Sequence, residues 1–297
     1  MPAKVRSACK LSEILLSWQA RVETVSLRIE RQPAADYARS IIDGCVSIGT
    51  LCPSAFFGGV SLSAMLINFS GDMTLPADPL CHSAQSRVSP WLAPVMYTLG
   101  EKVILPAYFS QIEITGQENI PQDGPVVLAP THQSRWDPLL VGLIGKQAGR
   151  YLRFMVTADE CLGIQGWFIR RLGGFPVHVR KPSVQTLRHG VQLLQAGEMM
   201  VIYPEGNIYR DRIHPLKPGL ARIALRAERS RPHLHVKIVP ISLKYSELCP
   251  RWLGTVTVRI GKPISVAEYK AGEGKLRSKQ LTADLQAALT NLADVSE

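Results

Sequence analysis

Residues 125–142 read PVVLAPTHQSRWDPLLVG. An apolar run, Val126–Ala129, ends at Pro130, and Pro138 stands where a helix would open, at the first position that tolerates a missing N–H. Between the two prolines lie His132 and Asp137, five residues apart. On one continuous helix that spacing would turn the two side chains about 140° away from each other. Across a strand–loop–helix turn they can meet. A carboxylate bonded to one imidazole nitrogen fixes the tautomer and leaves the other nitrogen free to take a proton. The same residues also fit a plainer reading, with Asp137 as the cap of the helix and His132 as a polar loop residue.

Outward from this stretch, short β-type runs alternate with helical ones. Strands are predicted at Gln111–Thr115, Val126–Ala129, Arg153–Thr157, Pro176–Arg180, Met199–Tyr203, Val236–Leu243 and Thr255–Ile260. Ser183 caps a predicted helix with Val184, Leu187, Val191 and Leu194 on one face, ended by Gly197. A second helix is expected from Pro218 to about Glu228, and a last one carries Leu281, Leu285, Ala288, Leu289 and Leu292. The pattern predicts an α/β fold, a mixed central sheet flanked by helices, with its site in loops beyond the strand ends. No internal repeat is visible.

The chain has 297 residues, 46% hydrophobic and 20% charged, enough apolar content for a substantial core. Its net charge is +10. Most of the excess falls between Arg150 and Arg231, where fourteen Lys/Arg face six Asp/Glu. That stretch reads either as a solvated surface or as a basic face toward phosphate or lipid headgroups. Zinc-ligand spacing, an aromatic–basic RNA-binding strand and a basic zipper are all missing, which argues against a nucleic-acid module. The six cysteines lack CxxC spacing, so neither a zinc site nor a disulfide framework is expected, and a reducing compartment is.

Residues 1–89 differ in texture and are expected to form an extension, either poorly ordered or membrane-associated. Leu11, Ile14, Leu15, Trp18 and Val22 fit a short amphipathic helix. Gly44–Phe69 runs for 26 residues without a charge, long enough for a membrane span but diluted by Ser, Gly, Cys and Pro. Residues 70–90 read as linker, and the ordered domain is expected over residues 90–297. Trp91–Phe109, with bends at Pro94 and Pro106, fits a broken helix lying on a membrane or a buried helical hairpin equally well. Residues 166–174, GWFIRRLGG, fit an interfacial helix or a short core helix with two exposed arginines.

Four blocks in order carry a family resemblance. His132–Asp137 resembles the HX4D motif of the glycerolipid acyltransferases, the 1-acyl-glycerol-3-phosphate acyltransferase type. GGFPVHVR at 173–180 is similar to the family's second block, YPEG at 203–206 to its FPEG block, and VKIVPISL at 236–243 to its fourth, with Pro240 at the characteristic proline. The likeness runs from about Trp91 to Ile264.

The resemblance implies a glycerolipid-acyltransferase-like fold with an N-terminal membrane-contacting helical segment. It implies acyl transfer from acyl carrier protein or coenzyme A thioester to the sn-2 hydroxyl of lysophosphatidic acid at a membrane surface, on the cytoplasmic face, with no metal or bound cofactor. His132 would be the general base and Asp137 its orienting carboxylate. Glu205 and Gly206 would hold the acceptor, Arg180 and Lys217 its phosphate, and Pro240 would border the acyl pocket. The sequence departs from the family in places. Thr131 precedes His132 where asparagine is usual, and EGTR becomes Glu205-Gly206-Asn207-Ile208, leaving Asn207 and Arg210 as candidate substitutes. Arg180 stands one residue later than in the tightest form of its block. The alternatives are a different lysophospholipid or alcohol acceptor, or a non-catalytic lipid-binding protein on the same fold. A serine hydrolase built on Ser134 lacks the G-x-S-x-G elbow.

Overall fold

The computed structural model describes residues 86–178, 182–231, 233–269 and 274–294. The extension expected over 1–89, with its amphipathic and uncharged stretches, lies almost wholly outside these residues. So do Val179, Arg180 and Lys181.

The chain enters through α1 (Leu92–Leu99), a π-helical turn (Gly100–Ile104) and α2 (Leu105–Tyr108). It continues through β1 (Gln111–Thr115), β2 (Val126–Pro130), α3 (Asp137–Gln147), β3 (Leu152–Thr157), α4 (Gly163–Arg171) and β4 (Phe175–Val177). There follow α5 (Val184–Gln195), β5 (Met199–Val201), α6 (Gly219–Ser230), β6 (Lys237–Tyr245), β7 (Thr255–Ile260), β8 (Ile264–Ser265) and α7 (Gly274–Asp294). The strands form one sheet in the order β1-β7-β6-β2-β5-β3-β4, with β8 paired to β6. Neighbours are parallel except for β6–β7 and β6–β8, so the sheet is mixed, as predicted.

The sheet divides the core in two because successive side chains on a strand point to opposite faces. On β2, Val126 and Leu128 join α2, α3, Met199 and Val201 in one layer. Val127 and Ala129 join Met200, α5, α6 and α7 in the other. Leu140 and Ile144 of α3 are fully buried and contribute roughly 1.5–3 kcal/mol each. The last helix buries Leu281, Leu285 and Leu289, the stripe its spacing predicts.

Local signals held where the chain supplies its own partner. Ser183 caps α5, its hydroxyl accepting the Thr186 N–H at 3.0 Å. The helix ends with Gly197 at φ +76°, its N–H donating to Leu194 O and the Glu198 N–H to Leu193 O, a left-handed closure suited to glycine.

The segment at Trp91–Phe109 corrects the hairpin reading. The backbone stays right-handed helical through Leu99, Gly100, Ile104 and Leu105, so it runs on as one irregular helix. Pro94 falls in the first turn of α1, where no intrahelical N–H bond is needed, and Pro106 opens α2 behind the π-turn, which absorbs its missing donor. One face buries Leu92, Ala93, Leu105 and Tyr108, whereas Trp91, Val95, Leu99 and Val103 are exposed. On α4, Ile164 is exposed, and Arg171 lies 4.0 Å over the Trp167 ring. Among the described residues, no helix is long and apolar enough to cross a membrane.

Candidate active site

Three neighbouring strands bring the site together. β5 and β6 both run parallel to β2, so all three release the chain at the same edge of the sheet. His132 follows β2, Tyr203 and Glu205 follow β5, and Tyr245 ends β6. This is the carboxyl edge at which open α/β sheets bind their ligands.

At that edge His132 Nδ1 lies 2.8 Å from Asp137 Oδ2. The Asp137 side chain is fully buried and the His132 side chain is 18% exposed, so one imidazole nitrogen is committed and the ring still reaches solvent. Asp137 stands at the first position of α3 rather than before it. Its Oδ2 accepts the N–H groups of Gln133 at 2.7 Å and Ser134 at 2.9 Å, both upstream of the helix. The carboxylate therefore closes the loop back onto itself and does not act as the helix cap. Ser134 is also occupied, its hydroxyl accepting the Trp136 N–H at 3.2 Å. Trp136 stacks on Tyr108 with ring centroids 4.0 Å apart, tying the start of α3 to α2.

The segment after β5 grips His132 by its main chain. Glu205 Oε1 accepts the His132 N–H at 3.1 Å, and Oε2 accepts the His214 N–H at 2.9 Å. The Tyr209 N–H donates to His132 O at 2.8 Å. The Tyr203 ring stacks on the His132 imidazole, 4.1 Å between centroids. Glu205 is 2% exposed, and burial raises its carboxyl above the usual carboxylate range against the lowering effect of the two N–H bonds. Burial, helped by the charge of Asp137, also pushes the Tyr203 phenol well up, so it stays protonated.

Gly206 sits at φ +69°, and a Cβ there would lie 2.6 Å from Lys217 Nζ. The lysine can lie across this turn only because the residue is glycine. Lys217 Nζ is 3.4 Å from Gly206 O. Asn207 and Arg210 are exposed on the same loop, the Asn207 side chain accepting the Ile208 N–H at 2.9 Å. The structure thus brings His132, Asp137, Glu205, Gly206 and Lys217 together, with Asn207 and Arg210 on the connecting loop. Pro240 is placed apart, inside β6 opposite Ala129, with Cγ 3.0 Å from where a Cβ on Gly261 would stand. Arg180 lies outside the described residues.

Sequence reasoning missed three participants. Tyr245 donates to Asp137 Oδ1 at 2.5 Å from 108 positions away, beyond the predicted end of its strand at Leu243. Tyr203 belongs to the YPEG block, but nothing in that block signals a ring stack. Thr131, in place of the usual asparagine, uses its hydroxyl to accept the Leu243 N–H at 2.9 Å and fasten the loop to β6. Among the described residues, no group of three or more His, Cys, Asp or Glu could hold a metal ion.

This arrangement defines a class: an α/β protein with an oriented, solvent-reaching imidazole at the carboxyl edge of its sheet, beside a cationic loop. Residues 111–244 match the model of the Acyltransferase family. It is similar to two curated proteins, both named 1-acyl-sn-glycerol-3-phosphate acyltransferase. The one from Streptococcus pneumoniae is 26% identical over 155 residues, 50% of this chain and 53% of that protein. The one from Bacillus subtilis is 24% identical over 187 residues, 61% of this chain and 87% of that protein. The chain thus spans about half the length of the first of these relatives. The fold is that of the 1-acyl-sn-glycerophosphate acyltransferase PlsC from Thermotoga maritima, with a TM-score of 0.51, 20% identity, and coverage of 68% of this chain and 79% of that one.

Proposed function

We propose that this protein transfers a fatty acyl group from a thioester donor to the sn-2 hydroxyl of 1-acyl-glycerol 3-phosphate, giving phosphatidic acid. The observation that carries the reading is the 2.8 Å contact between His132 Nδ1 and Asp137 Oδ2, held at the carboxyl edge of the sheet with Glu205 on the His132 N–H and Lys217 beside Gly206 on the same segment. With Nδ1 engaged, Nε2 takes the proton of the acceptor hydroxyl. The oxygen attacks the thioester carbonyl, the C–S bond breaks, and the imidazolium returns its proton to the leaving thiolate. The substrate alcohol is itself the nucleophile, and the donor is already activated as a thioester, so the step needs neither an enzyme nucleophile nor a metal or bound cofactor.

Lys217, Arg210 and Arg180 are the proposed phosphate ligands, suited to anionic oxygens, with Asn207 as a further donor. Gly206 lets the backbone approach the acceptor. Pro240 is retained as a proposed border of the acyl chain on the family resemblance. The names of both curated relatives support this acceptor. The donor is proposed to be an acyl carrier protein or coenzyme A thioester. Exposed Trp91, Val95, Leu99 and Val103, with Ile164 on α4, support contact with a bilayer, where the acceptor resides. The six cysteines, scattered without CxxC spacing, support the cytoplasmic face.

A second reading keeps the chemistry and changes the acceptor. It is favoured by Ile208, which stands where the family motif carries its arginine. Purified protein incubated with an acyl donor and a panel of lysophospholipids, read by mass spectrometry, tests both. Phosphatidic acid is the expected product, lost in His132→Ala. Turnover that ignores the acceptor's phosphate, or that survives in His132→Ala, overturns the assignment.

A further inference from the structure

Asp137 is a fully buried carboxylate with four partners, and only three belong to its own loop. Oδ2 takes the N–H groups of Gln133 and Ser134 and faces His132 Nδ1. Oδ1 is left to Tyr245 Oη, at 2.5 Å. Tyr245 is 7% exposed, sits at the carboxyl end of β6 and stacks on Phe109 with ring centroids 6.0 Å apart. Its neighbour Leu243 is bonded to Thr131 beside the loop, so strand and loop move as one.

We infer that Tyr245 is a positioning residue for the His132–Asp137 pair, fixing the plane in which the carboxylate meets the imidazole and tempering the charge that the imidazole feels. A carboxylate can turn about its Cβ–Cγ bond and so tilt its plane away from a partner. With a phenol held on one oxygen by a strand and two N–H groups on the other, only one plane keeps every donor paired, and that plane sets a carboxylate oxygen against Nδ1. Burial and the charge of Asp137 drive the Tyr245 phenol far up, so the hydroxyl keeps its proton and donates it to the carboxylate. A donor on the far oxygen draws negative charge away from the near one, which weakens the pull on the imidazole proton. The other titratable groups facing this cluster are Tyr203 and Glu205 from the segment after β5 and Tyr108 from α2. The Tyr108 hydroxyl is spent on Pro250 O at 2.9 Å. Tyr203 approaches the cluster but forms no bond to it, its hydroxyl being buried without a partner among the described residues. Tyr245 is therefore the phenol that acts on the pair.

The inference builds on the acyl-transfer reading for its kinetics, but one test is independent of turnover. In 15N-histidine NMR, Tyr245→Phe keeps the ring and its packing, and the titration midpoint of the His132 imidazole is expected to rise by about half a unit to one unit, the part passed on from a lost hydrogen bond to a charged group. The acidic limb of the pH–kcat/KM profile should rise with it. At neutral pH kcat should fall roughly tenfold with KM for the acceptor within about twofold, the signature of a lost transition-state interaction. In an Asp137→Asn background the same change should cost little more, because its effect passes through the carboxylate. Site-specific 3,5-difluorotyrosine at 245, a stronger donor that keeps the bond, should move the midpoint the opposite way, and it serves also if the phenylalanine variant does not fold. A wild-type midpoint in Tyr245→Phe, or equal costs with and without Asp137, overturns the inference. Loss of turnover by the wild-type protein with every acceptor would instead overturn the acyl-transfer reading and leave the NMR result to stand.

Discussion

Glu205 holds His132 through the main chain, its Oε1 on the His132 N–H at 3.1 Å while its other oxygen takes the His214 N–H at 2.9 Å. A residue expected to reach for the acceptor spends both oxygens on backbone groups, from a site 2% exposed to solvent. One carboxylate thus joins the loop after β2 to the segment after β5, and the height of the imidazole above the sheet edge depends on it.

Replacing Glu205 by glutamine supplies one acceptor for two N–H groups, so Glu205→Gln should lose roughly 1–3 kcal/mol of stability at neutral pH. The loss should depend on pH. Burial raises the folded-state carboxyl above its unfolded value, so its contribution is fully present below the unfolded value and declines as pH rises through the folded one. The melting-temperature advantage of wild type over Glu205→Gln should shrink as pH climbs upward from about 4.3, the ordinary glutamate value. Thermal melts across that range check it, and an advantage that grows with pH would contradict it.

Asp137→Asn should lower kcat by on the order of a thousandfold or more, since the amide can stabilise the wrong imidazole tautomer. It also turns an NH2 toward some of the four donors that now point at the carboxylate. Steady-state kinetics together with a thermal melt should therefore show both activity and stability falling.

Tyr203 contributes a ring, not a hydroxyl. Its Oη is buried without a partner among the described residues, so Tyr203→Phe should hold stability or gain about 1 kcal/mol. Turnover should stay near wild type, because the ring stacked on His132 remains. Tyr203→Ala removes that platform and should reduce kcat roughly tenfold. Turnover of the two variants side by side checks the distinction.

At Gly206, with φ +69°, alanine meets left-handed strain of roughly 1 kcal/mol and displaces the end of Lys217 from 2.6 Å away. Gly206→Ala should raise KM for a phosphate-bearing acceptor severalfold while changing kcat less. An equal rise for a phosphate-free acceptor would separate Lys217 from phosphate binding.

The sequence by itself determined the elements and half of the site. Val126–Pro130, the two prolines and the periodicity of α5 and α7 are local signals, written in residues that sit next to their own consequences. The meeting of His132 and Asp137 is equally local, a turn of five residues. What the tertiary structure alone decided is who holds that turn. Tyr245 reaches Asp137 across 108 positions and Glu205 reaches His132 across 73, because β6 and β5 lie on either side of β2 and run parallel to it. Strand order is set by how all the apolar faces pack at once, and no spacing along the chain encodes it. The same cause sets Pro240 within the sheet, in register with Ala129, while the chain beyond goes on to the edge.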